Sequence, residues 1–351
     1  MRNPAFDFIQ KALTLAEKNQ GFCAPNPAVG AVVVRDGKVI AEGFHRGAGL
    51  PHAEVEALKQ LDFITEDMDL YVTLEPCCHY GRTPPCTDLI IRRGIKRVFF
   101  AYFDPNPEVA GKGQRILQDA GIVCEYTPTD EVDYFYQAYQ HWWRYRTPLV
   151  SVKLALTADR KTGPGVITGS ECQYFTHQQR LQHDALLTTA TTIIADDPQY
   201  NMRLIDPNRK KPLYVLDSQL RLPIEARIFT TCKSVTVFHR SDAPCTQLNA
   251  LRNKARCIAV PSDSAGLDLK ACLSVIGDDG HHSLWVEAGW NCTRTFIQQG
   301  LAEHIIFYFS SKIAGNQAVP KQLNFVYEPG LDRQFQWQVL GEDMLVQVSR
   351  K

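Results

Sequence analysis

The sequence predicts an α/β protein of two domains, and three observations support this fold class. The chain has 351 residues, enough for two domains of about 150 residues each. Hydrophobic residues make up 44% of it and charged residues 22%, which is ordinary globular composition. Helical and strand patterns alternate along the first part, and a second such series begins at Pro148.

In the first part, apolar spacing predicts a helix over 6–18. Ala31–Val34 is a strand-like run, and the Asp36-Gly37 turn joins it to Val39-Ile40 as a hairpin. The later patterns predict helices over 52–61, 86–93 and 113–120, and strands over 70–74, 98–102 and 122–126. Helices interleaved with short strands in this way predict a three-layer α/β domain.

An aromatic-rich helix over 131–146 is expected to bridge the two halves, so we expect domains at 1–146 and 147–351. In the second domain a loop broken by Gly and Pro covers 163–169. The predicted strands of this domain are 149–156, 191–195, 213–216, 234–238, 283–286 and 304–309.

Charge and cysteine usage restrict the functional class and the location. Thirty-eight basic and 38 acidic residues give a formal net charge of zero, which disfavours a nucleic-acid partner. The N-terminus lacks the pattern of a signal peptide, and no apolar run approaches the ~20 residues that cross a bilayer. Eleven scattered cysteines fit a reducing compartment. We therefore expect a cytoplasmic protein without a membrane or nucleic-acid partner.

The pattern most informative about function joins His52-Ala53-Glu54 to Glu75-Pro76-Cys77 and Cys86. A catalytic zinc takes three protein ligands and keeps a fourth position for water, whose pKa it lowers towards neutrality. His52, Cys77 and Cys86 supply such a set. Glu54 follows the histidine on the same predicted helix, where it would reach the water as general acid/base without binding the metal. The pattern predicts a zinc-dependent deaminase with Glu54 as its catalytic residue.

Other interpretations of these residues stay open at this point. Cys78 or His79 would act as a fourth ligand in a closed, purely structural zinc site. A cluster of buried thiols without metal is a further alternative. From a different functional class, a zinc-stabilised nucleic-acid-binding protein is disfavoured by the neutral charge.

Longer motifs around these residues carry a resemblance to a known family. They are Ala24-Pro25-Asn26-Pro27-Ala28-Val29-Gly30, Gly43-Phe44-His45 and the stretch from Glu75 through His79-Tyr80-Gly81-Arg82-Thr83-Pro84-Pro85 to Cys86. With Asp104-Pro105-Asn106-Pro107, they make the chain resemble the bifunctional riboflavin-biosynthesis deaminase/reductases. Eight residues separate Cys77 from Cys86, whereas deaminases of nucleosides, cytosine or tRNA adenine usually have two. The spacing therefore favours the riboflavin branch of the cytidine-deaminase-like fold.

The resemblance implies hydrolytic deamination of 2,5-diamino-6-(5-phosphoribosylamino)pyrimidin-4(3H)-one. The residues it implies for substrate contact are Asn26, His45, His79, Asp104 and Asn106. Each has a plainer alternative: Asn26 lies between prolines and suits a turn, and the Asp104-to-Pro107 stretch is typical of a loop. His45 and Arg82 suit an exposed surface equally well, although the substrate's phosphate gives a cation a role.

Residues 148–351 resemble the reductase half of the same family, which has a dihydrofolate-reductase-like fold and uses NADPH. The matching stretches include Lys153-Leu154-Ala155, Ala195-Asp196-Asp197-Pro198 and Val286-Glu287-Ala288-Gly289. The implied reaction delivers hydride to C1′ of the opened ribosyl group. The resemblance implies NADPH contacts at Ala155, Tyr174, Thr192, Asp196, Ser218 and Gly289. It implies substrate contacts at Cys172, Arg180, Tyr200, Arg203 and Glu287, with the two arginines suited to a phosphate.

This second half departs from the family pattern at several positions. Arg160 stands where the family usually has glycine, Cys172 replaces serine, Tyr174 replaces tryptophan and Trp290 replaces proline. The segment between Thr176 and Arg180 is about eight residues shorter than in the family. These departures motivate an alternative: a deaminase whose C-terminal domain is a catalytically weak binding or oligomerisation module. The resemblance also implies a homo-oligomer joined through the reductase domains.

Overall fold

A computed structural model describes residues 4–81, 83–162, 165–264, 266–315 and 333–350. Arg82 and the Gly163-Pro164 part of the expected loop lie outside the described residues. The chain divides into two compact units, Met1–Arg146 and Thr147–Lys351. No helix in the described ranges combines the length and the apolar character that crossing a bilayer requires.

The first unit alternates helices and strands, as its sequence pattern predicts. The elements are α1 (Pro4–Glu17), β1 (Gly30–Arg35), β2 (Lys38–Phe44), α2 (Ala53–Leu58), β3 (Met68–Val72), α3 (Cys86–Arg93), β4 (Arg97–Phe100), α4 (Lys112–Asp119), β5 (Val123–Tyr126) and α5 (Asp130–Tyr145). The five strands form one sheet of order β2-β1-β3-β4-β5, in which β2 and β3 are antiparallel to β1, and β3, β4 and β5 are parallel to one another.

Helices cover both faces of this sheet. Because β1 has apolar side chains on both faces, each face must be shielded from water. Ala31 and Val33 pack into a core shared with α2, α3 and α4. Val32 and Val34, which alternate with them, pack into a second core shared with α1 and α5. The result is the three-layer arrangement that the sequence predicts.

The second unit contains the elements β6 (Leu149–Thr157), α6 (Ser170–Gln182), β7 (Ala185–Thr189), α7 (Ala190–Asp196), β8 (Pro212–Leu216), α8 (Ile228–Thr231), β9 (Ser234–His239), α9 (Cys245–Arg252), β10 (Arg256–Ala259), β11 (Ser262–Asp263), β12 (Gly266–Leu267), α10 (Leu269–Asp278), β13 (Ser283–Glu287), α11 (Trp290–Gln298), β14 (His304–Ser310), β15 (Arg333–Leu340) and β16 (Asp343–Arg350). Nine of the strands form one sheet of order β10-β9-β8-β7-β13-β6-β14-β16-β15. The strands from β10 to β14 along this order are parallel, and the β15–β16 hairpin pairs antiparallel with β14 through β16.

One predicted element of this unit is wrong. Residues 191–195 are helical, within α7, and the strand is the preceding run Ala185–Thr189. Thr189 begins the helix, since its side chain accepts a hydrogen bond from the backbone N–H of Thr192. The β-branched run that suggested a strand is held in a helix because Ala190 and Ile193 bury against the sheet.

Arg160 lies in a tight turn after β6 and adopts a left-handed conformation, with φ of 57°. Its N–H donates to Thr157 O, and Thr157 N–H donates to Lys161 O. The turn therefore forms despite the absence of glycine, at a strain of about 1 kcal/mol.

We expect Arg160→Gly to raise the free energy of unfolding by up to about 1 kcal/mol, partly offset by the greater freedom of glycine in the unfolded chain. Urea unfolding of both proteins measures this; a destabilised glycine variant would contradict it.

The partly buried ring of His183 makes the second unit sensitive to acid. Its Nδ1 lies 2.8 Å from Gln179 O and its Nε2 3.1 Å from Ser151 Oγ. Burial lowers the pKa of His183 to about 4. Between pH 6.5 and 4 the unfolded chain therefore takes up a proton that the folded chain does not, so stability falls as the pH falls.

We expect this single group to remove about 2 kcal/mol of stability between pH 7.5 and pH 5. The measurement compares urea unfolding of wild type and His183→Gln at both pH values. Glutamine retains a donor and an acceptor but does not titrate, so the variant should lose that part of the pH dependence. Equal pH dependence in the two proteins would contradict the assignment.

Candidate active sites

Three ligand atoms meet in the first unit at the start of two helices. His52 Nδ1 lies 3.4 Å from Cys77 Sγ and 3.3 Å from Cys86 Sγ, and all three atoms lie within 4.8 Å of one another. Within the described ranges, no other histidine, cysteine or carboxylate joins this group. Cys78 instead points its thiol at Glu108 O, at 3.6 Å. The set therefore offers three candidate ligands, the number that a catalytic zinc site takes from the protein.

The orientation of His52 is fixed by a residue that the sequence analysis did not single out. Thr83 Oγ1 lies 3.2 Å from His52 Nε2. With a metal ion on Nδ1, Nε2 would carry the proton and donate to the threonine hydroxyl. Such a partner holds the tautomer in which Nδ1 keeps its lone pair for a metal.

The surroundings of Cys77 stabilise its thiolate, whereas the neighbouring Cys77, burial and Glu54 raise the pKa of Cys86. Cys86 begins α3, and its backbone N–H donates to Cys77 Sγ at 3.3 Å. Hydrogen bonds from Cys86 and His52 lower the pKa of the Cys77 thiol. The start of a helix also favours negative charge, so the group suits a divalent cation.

Glu54 lies in the first turn of α2, one residue beyond the start of the helix at Ala53. Its side chain is buried, with 3% of the residue exposed, and this burial raises the pKa of its carboxyl group. Gly43 of β2 permits the helix to approach, because a Cβ there would lie 2.2 Å from Ala53 O. The same contact fixes the position of Glu54 beside the ligands.

Glu75 braces the segment that carries Cys77. Its two carboxylate oxygens accept from the backbone N–H groups of Gly111, at 2.9 Å, and Gln114, at 3.0 Å, at the start of α4. A Cβ on Gly113 would lie 2.2 Å from Pro76 O. Helix α4 is thus held directly against the residue before the ligand.

A cavity of about 300 Å³ opens beside these groups. Every residue that the resemblance implies for deaminase substrate contact lines it, together with two of the ligands and Glu54: Asn26, His45, His52, Glu54, Cys77, His79, Asp104 and Asn106. The wall also includes Tyr139, Trp142 and Trp143 of α5, to which the sequence analysis gave no role. Residues separated by more than 80 positions therefore form one site.

Two of these side chains orient each other. His45 Nδ1 lies 3.0 Å from Pro51 O, which can only accept, so Nδ1 carries the proton. Burial lowers the pKa of His45, and its neutral Nε2 accepts from Asn26 Nδ2 at 3.1 Å. Asn26 Oδ1 has no partner among the described residues and is available as an acceptor at the cavity.

In the second unit, the implied residues gather mainly at the carboxyl ends of the parallel strands. Glu287 ends β13, Ala155 lies near the end of β6, and Thr192 lies in the first turn of α7 after β7. Ser218 follows β8, and Gly289 precedes α11. Since β13 lies between β7 and β6, this edge contains the kind of crossover where α/β proteins bind ligands.

A buried ion pair marks this edge. Arg180 Nε and Nη2 lie 2.5 and 2.8 Å from the two carboxylate oxygens of Glu287. Trp285 Nε1 donates to the same carboxylate at 2.9 Å, and Arg180 Nη1 donates to Asn201 O at 3.0 Å. Burial raises the pKa of Glu287, but attraction to Arg180 outweighs it and holds the pKa at about 2.

The remaining implied residues lie in different surroundings. Tyr200 is buried and donates its hydroxyl to Thr188 Oγ1 at 2.6 Å. Cys172 lies on the buried face of α6, and burial raises the pKa of its thiol to about 12. Tyr174, Asp196 and Arg203 are exposed, and Asp196 accepts from the Gly165 N–H at 2.9 Å.

Two family models match the chain. The cytidine and deoxycytidylate deaminase zinc-binding region matches residues 3–102, and the RibD C-terminal domain matches residues 148–346. Together they confirm the fold class: a cytidine-deaminase-like domain followed by a dihydrofolate-reductase-like domain.

Relatives resemble the chain over nearly its full length. A riboflavin biosynthesis protein RibD of Aquifex aeolicus is 36% identical over 98% of this chain and 98% of its own. A RibD protein of Haemophilus influenzae is 37% identical over 89% of this chain and 87% of its own. Among solved structures, Acinetobacter baumannii RibD has a TM-score of 0.86 at 30% identity and covers 99% of both chains. A diaminohydroxyphosphoribosylaminopyrimidine deaminase/5-amino-6-(5-phosphoribosylamino)uracil reductase of Thermotoga maritima has a TM-score of 0.85 at 31% identity, with the same coverage.

Proposed function

The chain belongs to the RibD family of riboflavin-biosynthesis enzymes, which combine a deaminase with a reductase, and from this premise we propose how its residues divide the work. Residues 1–146 deaminate 2,5-diamino-6-(5-phosphoribosylamino)pyrimidin-4(3H)-one, and residues 147–351 reduce 5-amino-6-(5-phosphoribosylamino)uracil with NADPH. The observation that carries the first assignment is the three-ligand group beside buried Glu54 in a single cavity. The match of residues 148–346 to a reductase domain disfavours a merely binding C-terminal module.

The donor set fits zinc. One imidazole nitrogen and two thiols converge, and Thr83 Oγ1 lies where it would accept a hydrogen bond from the other imidazole nitrogen of a metal-bound His52. His52, Cys77 and Cys86 would hold the ion, which when bound supplies Lewis-acid activation of a water molecule.

Glu54 moves the protons in this proposal. Its carboxylate takes a proton from the attacking water and returns it to the amino group that leaves as ammonia. Water and the ring C–NH₂ are thus exchanged for a ring C=O and NH₃. Asn26 Oδ1, the Asp104 carboxylate and Asn106 supply acceptors and donors to the ring edge, and His79 lies at the same cavity.

At the second site, NADPH when bound supplies the hydride for C1′ of the opened ribosyl group. Ala155, Thr192, Ser218 and Gly289 lie at the strand ends where a cofactor would bind, with Tyr174 and Asp196 exposed in neighbouring helices. Arg180 is committed to Glu287 and Asn201, so we assign the substrate phosphate to the exposed Arg203 and the sugar hydroxyls to Glu287. Cys172 and Tyr200 support this wall from the core.

A coupled assay tests the proposal. Purified protein receives the diaminopyrimidinone with or without NADPH, and both products are identified by mass. Without NADPH we expect only the deaminated uracil; with NADPH we expect the ribityl product and a matching loss of NADPH absorbance. Absence of any NADPH oxidation would overturn the reductase assignment, and absence of the uracil would overturn the deaminase assignment.

The resemblance also implies a homo-oligomer in the cytoplasm, which we retain as proposals. No disulfide bond links any of the eleven cysteines, all of which lie in the described residues, and this suits a reducing compartment. Light scattering of the protein as it elutes from a size-exclusion column tests the oligomer, and a monomer would contradict it. Cell fractionation tests the location, and protein found outside the cytoplasm would contradict it.

A further inference from the structure

Helix α5 forms part of the deaminase cavity although it lies between the two family matches. The zinc-binding region ends at residue 102 and the C-terminal match begins at residue 148, whereas α5 covers Asp130–Tyr145. Tyr139 on this helix lines the cavity together with Asp104. The helix therefore brings a side chain to the substrate cavity from outside the matched zinc-binding region.

The contact between these two residues is specific. The Tyr139 hydroxyl donates to Asp104 Oδ1 at 3.1 Å, and the Asn106 backbone N–H donates to the same oxygen at 2.9 Å. Asp104 Oδ2 has no hydrogen-bond partner among the described residues. One oxygen of the carboxylate is thus occupied by the protein, and the other is available to a ligand in the cavity.

The Tyr139 hydroxyl is itself held in place. Its ring packs edge-to-face against Trp143, with centroids 6.4 Å apart at 84°, and contacts Tyr136 at 6.4 Å. Tyr136 anchors the helix to the sheet, since its hydroxyl donates to Ala28 O at 3.0 Å and lies 2.7 Å from Thr73 Oγ1. A rigid donor fixes the rotation of the Asp104 carboxylate before any substrate binds.

We propose that Tyr139 is a positioning residue of the deaminase, which holds Asp104 so that Oδ2 accepts a hydrogen bond from an N–H group of the pyrimidinone ring. This inference rests on the proposed deaminase function. A diaminopyrimidinone presents several N–H donors along its edge, so it requires fixed acceptors. A carboxylate that is already oriented loses less freedom on binding than a rotating one, and this appears as tighter binding of substrate.

The charge of Asp104 supports the same role. Burial raises its pKa to about 6, while the hydrogen bonds from Asn106 and Tyr139 act in the opposite direction. Glu75 and Cys77, which face it from the neighbouring loop, raise the pKa further. The Tyr139 hydroxyl therefore helps to keep Asp104 ionised, and hence an acceptor, near neutral pH.

The test is Tyr139→Phe, which retains the ring and removes only the hydroxyl. We expect KM for the diaminopyrimidinone to rise about tenfold or more, kcat to change less than about threefold, and the acid limb of kcat/KM to move to higher pH. Reduction of the uracil substrate by the same protein should be unchanged. Tyr134→Phe, the same substitution on a residue of α5 that is 61% exposed, is the matched control and should resemble wild type.

A double-mutant cycle with Asp104→Asn keeps the inference falsifiable by a second route. Asparagine retains an acceptor for Tyr139 but places a donor or a misoriented oxygen where Oδ2 was, so it too should raise KM. If Tyr139 acts through Asp104, adding Tyr139→Phe to Asp104→Asn should raise KM little further. The inference would be overturned if Tyr139→Phe had the KM and pH profile of wild type, even if its melting temperature fell. It would also be overturned if the effects of the two substitutions on KM were fully additive. If the wild-type protein does not deaminate the diaminopyrimidinone at all, the proposed deaminase function is refuted instead.

Discussion

Glu54→Gln is expected to lower the deaminase kcat by about 10²- to 10⁴-fold, the range that positioned proton transfer contributes, while zinc content stays at the wild-type level. The substitution retains the size and hydrogen bonding of the buried side chain but removes its ability to take a proton from water. Glu54 is not among the three converging ligand atoms, so metal affinity does not depend on its charge directly. Steady-state kinetics and metal analysis of the purified variant measure the two quantities.

Two controls make this result specific. Glu56→Gln changes the same residue type on the same helix, on a side chain that pairs with Lys59 rather than with the ligands, and should keep wild-type deamination. Reduction of the uracil substrate in the Glu54 variant should also be unchanged, because that site lies in the other unit. A Glu54→Gln protein that deaminates at the wild-type rate would show that another group moves the proton.

The sequence predicts the zinc ligands because their chemistry is local and selective. Few side-chain sets bind catalytic zinc, and His52, Cys77 and Cys86 occur next to recognisable helix starts. Short runs of apolar and β-branched residues likewise predict every strand of the first sheet, and β1 is such a run because both of its faces are buried. Periodicity and ligand chemistry are visible in a short window of sequence, and this is why these features could be found there.

The supporting residues could not be predicted in this way. Thr83 orients His52 and Tyr139 contacts Asp104 only because a loop and a helix distant in sequence meet at the cavity. Nothing in the aromatic pattern of α5 distinguishes a cavity-lining tyrosine from one buried in the core, such as Tyr136. The 191–195 error has the same origin, since tertiary packing of Ile193 outweighed the strand preference of its neighbours.

The reductase unit illustrates a further limit. The family resemblance implied Arg180 as a phosphate ligand, but it carried no information on the pair that Arg180 forms with Glu287. Charge pairing between residues 107 positions apart depends on the register of β13 against its neighbours. The departure at Arg160 was also ambiguous in sequence, because only the φ of 57° shows that the turn accommodates a side chain.

The Arg180–Glu287 pair supplies the second large effect. The two side chains are only 10% and 11% exposed, so Glu287→Gln leaves a buried guanidinium without its counter-charge. Lys153 also interacts with Glu287 and would then face Arg180 without a carboxylate between them. We expect a loss of about 3–5 kcal/mol in the stability of this unit, with loss of reductase activity and retention of deaminase activity. Thermal and urea unfolding, with both assays, measure these effects.

An exposed pair gives the matched comparison. Arg240 Nη2 lies 2.8 Å from Asp242 Oδ2, and the two side chains are 42% and 66% exposed. Asp242→Asn should therefore lower the free energy of unfolding by less than about 1 kcal/mol. If Glu287→Gln is equally mild, the buried pair is not the determinant of stability that its geometry indicates. Acid unfolding of the wild-type protein tests the pair without mutation. Because the pKa of Glu287 is depressed in the folded protein, its ionised carboxylate contributes stability that is present above about pH 4.5 and is lost as the pH falls towards 2.

The double variant Arg180→Met/Glu287→Gln separates the structural role of the pair from its catalytic role. It removes both charges, keeps an acceptor for the Trp285 N–H, and fills the guanidinium site with an apolar side chain of similar length. Replacing a buried ion pair by neutral groups is often neutral or stabilising, so we expect most of the stability lost in Glu287→Gln to return. Reductase activity should stay lost if Glu287 contacts the substrate. Recovery of both properties together would assign the pair a purely structural function and leave the reductase substrate to other residues at the strand ends.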